Sequence, residues 1–212
     1  MAASHVVHGF APAAQARPDL VRDGRVELWA TQRLVVCEEM ERDGVARVRA
    51  GDIAAKYGEA AWSFEAAYGW MRCQLAACVE RPEGAVSPYW LYRDLQWGAM
   101  GEDCVALRLA VPAERCVVFD LRLWTRILGL EYLGADEPDE RRFAAELARQ
   151  GVTSVAAAFS SPFFPIVRQQ VERSWERLCE SSEGCGQTYL QGAVWELRQE
   201  WVLERRVPQP PI

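Results

Sequence analysis

Apolar and polar residues alternate along this chain with two distinct periods, and the switches between them lay out most of its elements. Val26 to Thr31 reads as a strand with Trp29 at its centre. Gln32 to Arg42 reads as a short helix, stopped at Asp43-Gly44. Val45 to Val48 is a candidate small strand. Phe64, Tyr68, Met71, Leu75 and Val79 recur at helical spacing, which predicts a helix over 60–79 with these residues on one face. Arg81-Pro82-Glu83-Gly84 ends it. Tyr89 to Trp97 fits an aromatic strand, and Gly98 to Gly101 supplies a turn. From Cys104 to Val111 the alternation is strict: Val105, Leu107, Leu109 and Val111 share a face opposite Ala106, Arg108 and Ala110. Pro112 breaks it, and Arg115 to Phe119 is a further short strand.

The second half begins helical. Asp120 is placed to cap a helix carrying Trp124, Ile127 and Leu128. Asp136 to Asp139 leads into a helix ending at Gly151. Ser161-Pro162 introduces another, with Phe164, Val167, Val171, Trp175 and Leu178 in period. Ser181 to Gly186 is a loop. Thr188 to Val202 reads as one closing strand, with Tyr189, Gln191, Ala193, Trp195 and Leu197 on one side. Residues 1–25 are rich in Ala, Pro and polar residues without a period, which predicts a disordered arm. Residues 205–212 form a short Pro-rich tail. Between them, 26–204 is a single compact domain. Separated helices and antiparallel strands make it α+β, mostly small antiparallel sheets with packed helices.

Composition narrows the chemistry more than it names it. The 212 residues include nine tryptophans, more than an aliphatic core needs, so a shared aromatic framework or an aromatic-lined cleft is expected. Net charge is −6, which argues against general nucleic-acid binding, although arginines are plentiful and Lys56 is the sole lysine. The Arg and Ala bias suggests a GC-rich bacterial genome. Only two histidines are present, His5 and His8, both in the predicted arm. A Ser-His-Asp triad, a Cys-His pair or a two-histidine metal site therefore lacks its histidine within the fold. The seven cysteines make no C-x-x-C pair and sit mostly among apolar residues, which reads as buried free thiols in a reducing cytoplasm. No metal site is expected. The first residues do not read as a signal peptide, and no run approaches a membrane span.

Several segments resemble, in order, the bacterial proteins catalogued as domain of unknown function 3841. They are Leu28-Trp-Ala-Thr-Gln32, Gly44-Val45, Phe64-x-x-Ala-Tyr-Gly-Trp-Met71 and Pro88-Tyr-Trp-Leu-Tyr92. Val111-Pro, Phe119-Asp-Leu-Arg-Leu-Trp124, Ser174-Trp175-Glu176 and Gln191-Gly-Ala-Val-Trp-Glu-Leu197 follow. The resemblance spans about residues 27–203 and carries no assigned activity.

Two readings of function stand side by side. In the first, the element order looks like the split α+β fold of ADP-ribosyltransferases. That resemblance implies NAD in a cleft between two small sheets and a late-strand Glu that orients the attacking group. It places Glu196, or Gln191, in the catalytic role. Thr31 and Gln32, with Trp29 in the same segment, would hold the nicotinamide ribose or amide, and Tyr68 or Tyr89 would stack. Each residue also has a plainer reading: Thr31 as a helix cap, Gln191 as a satisfied buried amide, Glu196 as a solvated rim charge, the tyrosines as core. Gln191 and Glu196 lie five residues apart, so an unbroken strand puts them on opposite faces unless Gly192 forms a bulge. Arg47, Arg49 and Arg93 lie near turns, where they can meet a phosphate. In the second reading the chain is a non-catalytic, Trp-rich module for a small ligand or a protein partner.

Overall fold

The computed structural model describes residues 9–49, 61–98, 101 and 103–207, with backbone only for 61–63. His5, His8, Lys56, the first residues of the arm, the start of the long helix, part of the Gly98–Gly101 turn and the end of the tail lie outside the described residues. Its centre is a six-stranded antiparallel sheet. The strands are β1 (Arg25–Arg33), β3 (Tyr89–Tyr92), β4 (Cys104–Pro112), β5 (Val117–Asp120), β6 (Leu190–Val194) and β8 (Val202–Arg206). They run in the order β5-β6-β3-β1-β4-β8. A separate two-stranded ribbon pairs β2 (Val45–Arg47) with β7 (Glu196–Arg198). The class is α+β with antiparallel sheets, as the alternation predicts.

The strict alternation of β4 is realised against β1, in unbroken register from Arg25↔Pro112 to Arg33↔Cys104. One sheet face packs Leu28, Ala30, Leu91, Leu107, Leu109 and Val118 into a core. Helix α2 (Leu34–Asp43) closes that core with Cys37 and Met40, and α1 (Ala13–Ala16) adds Ala13. The other face carries Trp90, Val117, Phe119 and Ala193 into a second core. There α3 (Ala61–Ala76), α4 (Leu121–Leu128) and α5 (Glu137–Arg149) pack with α6 (Val155–Ser160), α7 (Pro165–Ser174) and α8 (Arg177–Glu180). The apolar stripe of α3 supplies Tyr68, Met71 and Leu75, all buried.

Four expectations are corrected. Residues 9–25 are not a free arm: Phe10 and Ala13 are buried, and the Ala13 N–H donates to the Cys116 carbonyl at 2.8 Å. A segment without a period still docks when single apolar residues fill gaps in a core. The tail yields Arg205 and Arg206 to β8. Helix α2 starts two residues late because β1 continues to Arg33, so Thr31 lies within a strand and is no cap. Gly44 at φ 75° ends that helix, as its sequence predicts. The closing strand is broken, because the chain leaves the large sheet after Val194, joins the ribbon at Glu196, turns at Trp201 and returns as β8. Trp195 anchors the break with its indole N–H on the Val79 carbonyl at 3.1 Å.

Candidate functional site

The break separates the two polar candidates. Gln191 stays in the six-stranded sheet and Glu196 moves to the ribbon. Register through Gly192 is continuous on both sides, so no bulge reunites them.

Gln191 pairs with Tyr92 of β3 and Phe119 of β5. It alternates with Ala193, so its side chain faces the helix-covered core. Tyr92 pairs in turn with Trp29, and Trp29 with Arg108 of β4. Thr31 lies two residues on from Trp29, on the same face. One face thus carries Gln191, Tyr92, Trp29 and Thr31. Trp29 and Thr31 are half-buried, and the Arg206 guanidinium lies 4.6 Å from the Trp29 ring centre. Gln191 is buried, and its Oε1 has no hydrogen-bond partner. It is therefore not the satisfied amide that the plainer reading predicts.

The segment after β3 straps this face. Asp94 caps a 3-10 turn over Leu95–Trp97 by accepting from the Gln96 N–H at 3.0 Å. Trp97 donates its indole N–H to the Thr188 carbonyl at 2.7 Å. A Cβ at Gly98 would fall 2.3 Å from Thr31 Oγ1. Gly98→Ala is therefore expected to lift the strap or push Thr31 aside, costing about 1–3 kcal/mol. Urea denaturation checks this, and a cost near zero would show that the strap is loose.

The remaining candidates lie elsewhere. Gln32 and Tyr89 lie on the opposite face of the sheet, and Tyr89 is buried in the core that α2 closes. Tyr68 is buried in the helical core, stacked 6.0 Å from Trp124 and 5.3 Å from Trp90. Arg49 pairs with Glu39 at 2.6 Å, and Arg93 donates to the Glu27 carbonyl at 2.8 Å.

Glu196 is no rim charge: its side chain is 3% exposed. Its cross-strand partner Arg47 donates to Oε2 from Nε at 2.9 Å and lies 2.8 Å away through Nη2. Arg198 donates to Oε1 at 2.6 Å, and Arg115 Nη1 lies 3.5 Å from the same oxygen. Guanidinium groups contact both carboxylate oxygens. It faces a cleft of about 450 Å³ lined by Glu80, Glu114, Arg115, Trp195, Arg198 and Trp201 among others. The sequence gives no hint of this cluster, because Arg47, Arg115 and Arg198 lie far apart in the chain.

Burial disfavours the thiolate form of the buried cysteines. Burial pushes the thiols of Cys116 and Cys179 up to about 12, and those of Cys78 and Cys185 up to about 11. Cys73 is the exposed one. An aromatic disulfide reagent at mildly alkaline pH is expected to label Cys73 first in the native protein and to leave Cys116 and Cys179 unmodified until denaturant is added. Rapid native labelling of either buried residue would contradict this. Among the described residues no group of three or more His, Cys, Asp or Glu is arranged to hold a metal. No helix among them is long and apolar enough to cross a membrane.

The family model for the domain of unknown function DUF3841 matches residues 27–203. The chain belongs to this family. No curated protein and no solved structure matches it. The DUF3841 match begins inside β1 and ends inside β8, so it includes every strand of both sheets and excludes α1.

Proposed function

We propose that this DUF3841 protein is an NAD-binding protein of ADP-ribosyltransferase-like architecture, with its ligand on the face shared by Trp29, Thr31, Tyr92 and Gln191. The carrying observation is the buried Gln191 Oε1 without a partner. An unsatisfied buried acceptor costs about 1–3 kcal/mol, and a ligand hydroxyl or amide N–H would recover that. Gln191 lies on a late strand, between β3 and β5, and the resemblance expects its orienting residue on a late strand. Because Gln191 is buried, ligand contact requires a neighbouring element to move, and the strap over Thr31 is the adjacent one.

The chemistry follows from the side chain. A glutamine amide accepts a hydrogen bond and orients a ribose hydroxyl, but it carries no charge to offset a developing ribose cation. The reading is therefore binding first, with slow transfer or none. In this reading Gln191 takes the orienting role, and Glu196 is held by arginines in the ribbon.

The test is a thermal-shift titration with NAD, with ADP-ribose and nicotinamide as controls. At a hundredfold excess over the dissociation constant, about 2.7 kcal/mol of added stability is expected, a shift of several degrees. Gln191→Leu is expected to fold at least as well as the parent, since it removes the orphaned acceptor, and to lose the NAD shift. An equal shift in parent and variant would sink the assignment to this face.

A second reading has its own support. Trp97 is 40% exposed and lies 5.5 Å from the Tyr189 ring, which the Arg122 guanidinium covers at 4.5 Å. An exposed aromatic and cationic ledge of this kind suits a non-catalytic binding module. No NAD shift in the parent would select it.

A further inference from the structure

We propose that the outer edge of β8 is a self-association surface. A second copy of this chain docks its own β8 there, antiparallel, about a two-fold axis at Arg205.

The two edges of the six-stranded sheet are finished differently. β5 is buried at all four residues, and the Ala13 N–H of α1 donates to the Cys116 carbonyl just before it. β8 is open. Among the described residues, no strand and no backbone hydrogen bond reaches it from outside the β4 ladder. Leu203 is 50% exposed, and Val207, just after the strand, is 66% exposed. Leu34 and Val35 are exposed too, and they stand at the same end of the sheet as Val207. They follow Arg33, which pairs with Cys104, two residues before the Ala106 partner of Arg206. An open edge strand with apolar side chains around it is a template for another strand.

The sequence of the edge chooses the occupant. In a two-fold antiparallel pair, each residue before the axis faces the residue equally far beyond it in the other copy. An axis through Arg205 sets Leu203 opposite Val207 and Glu204 opposite Arg206, and the symmetry repeats both pairs. Each pair is matched in character. An axis through Glu204 sets Leu203 against Arg205, and one through Arg206 sets Arg205 against Val207. Only the axis at Arg205 satisfies the apolar and the charged positions together.

Charge agrees with that register. Within one copy Arg206 pairs with Glu204 at 2.7 Å along the strand. An exposed pair of this kind exchanges partners at little cost. Across the axis the two pairs close into one ring of alternating charge. Arg205 meets its own copy on the axis, where Glu41 of α2 offsets it. The ion-paired groups of the edge balance, with Arg108, Arg205 and Arg206 against Glu27, Glu41 and Glu204. The register with β4 shifts between Arg108 and Leu109, which bends the strand at its Leu203 end. From Glu204 to Arg206 it is unbroken, and this is the stretch that the axis uses.

The test is sedimentation equilibrium of the full chain across the micromolar range. A reversible monomer–dimer equilibrium is expected. Leu203→Lys combined with Val207→Lys is expected to weaken it by about tenfold or more, because lysine then faces lysine where apolar residues met. Both side chains are exposed, so the variant keeps the fold. Phe163→Ser, at a residue 84% exposed beside α7, is expected to change nothing. Arg205→Cys in a Cys73→Ser background places two thiols across the axis. Copper phenanthroline is expected to join those copies and to leave Arg141→Cys, on α5, unjoined. A chain that stays monomeric, a dimer indifferent to the paired lysines, or a dimer lost in Phe163→Ser would overturn the surface. Failure of Arg205→Cys to cross-link where the dimer is populated would overturn the axis.

Discussion

Glu196→Ala is expected to destabilise the protein by roughly 3 kcal/mol, near the low end for removing one partner of a buried ion pair. The truncation leaves Arg47, Arg115 and Arg198 facing one another around an emptied position, with no buried carboxylate to neutralise them. Arg47 and Arg198 are about a third exposed, so water relieves part of the repulsion and keeps the cost from rising further. The loss is concentrated in the β2–β7 ribbon, where Arg47 and Glu196 are direct cross-strand partners. Urea denaturation gives the free energy, and hydrogen exchange at Val45–Arg47 locates it. Glu196→Gln keeps the shape and drops the charge, so it is expected to cost nearly as much. Arg115→Ala, which removes an exposed and loosely bound member, is expected to cost less than about 1 kcal/mol. Equal stability of parent and Glu196→Ala would mean that the arginines relax into solvent and that Glu196 is free for chemistry after all. The NAD titration separates the two roles, because loss of NAD binding in Glu196→Gln with an intact ribbon would return that residue to the ligand site.

The elements with one unambiguous period were legible in the sequence. Alternation from Cys104 to Val111 gave a strand flanked on both sides, and the stripe from Phe64 to Leu75 gave the long helix, which ends at Ala76, three residues before the expected Val79. The ends were less legible, for local reasons. Nothing in Thr188–Val202 signals that Trp195 leaves the sheet, because its indole bonds to a carbonyl more than a hundred residues away in the chain. That one long-range contact decides whether Gln191 and Glu196 share a cleft. Tyr89 to Trp97 reads as one aromatic run, yet Asp94 caps a turn inside it. The shared face of Gln191, Tyr92 and Trp29 follows from strand order, which periodicity alone does not fix. The arginine cluster escaped for the same reason: its members come from β2, the approach to β5, and β7.

The tryptophans act chiefly as clamps, and Trp175→Ala is the expected extreme. Trp175 is fully buried, with its ring stacked 5.6 Å from Phe159 and edge-on to Trp70 at 5.9 Å. Its indole N–H donates to the Glu131 carbonyl at 2.8 Å. One residue thus joins the end of α7, helix α6 and the loop after α4. Truncation is expected to cost about 3–5 kcal/mol, combining the lost apolar burial, the cavity left behind and an orphaned carbonyl. Trp175→Phe retains most of the ring contact and loses only the N–H, so about 1–2 kcal/mol is expected. The pair of variants divides packing from hydrogen bonding, and denaturation midpoints with near-ultraviolet circular dichroism report both. The same pattern recurs at Trp195, on the Val79 carbonyl, and at Trp97, on Thr188. In each case the indole N–H satisfies a main-chain carbonyl distant in sequence. A ring held this way is positioned by the fold, and Trp97, which is 40% exposed, still presents a face to solvent. If Trp175→Ala cost less than 1 kcal/mol, the helical layer would be tolerating a cavity of indole size, and the aromatic framework would have to be read as spare binding surface instead.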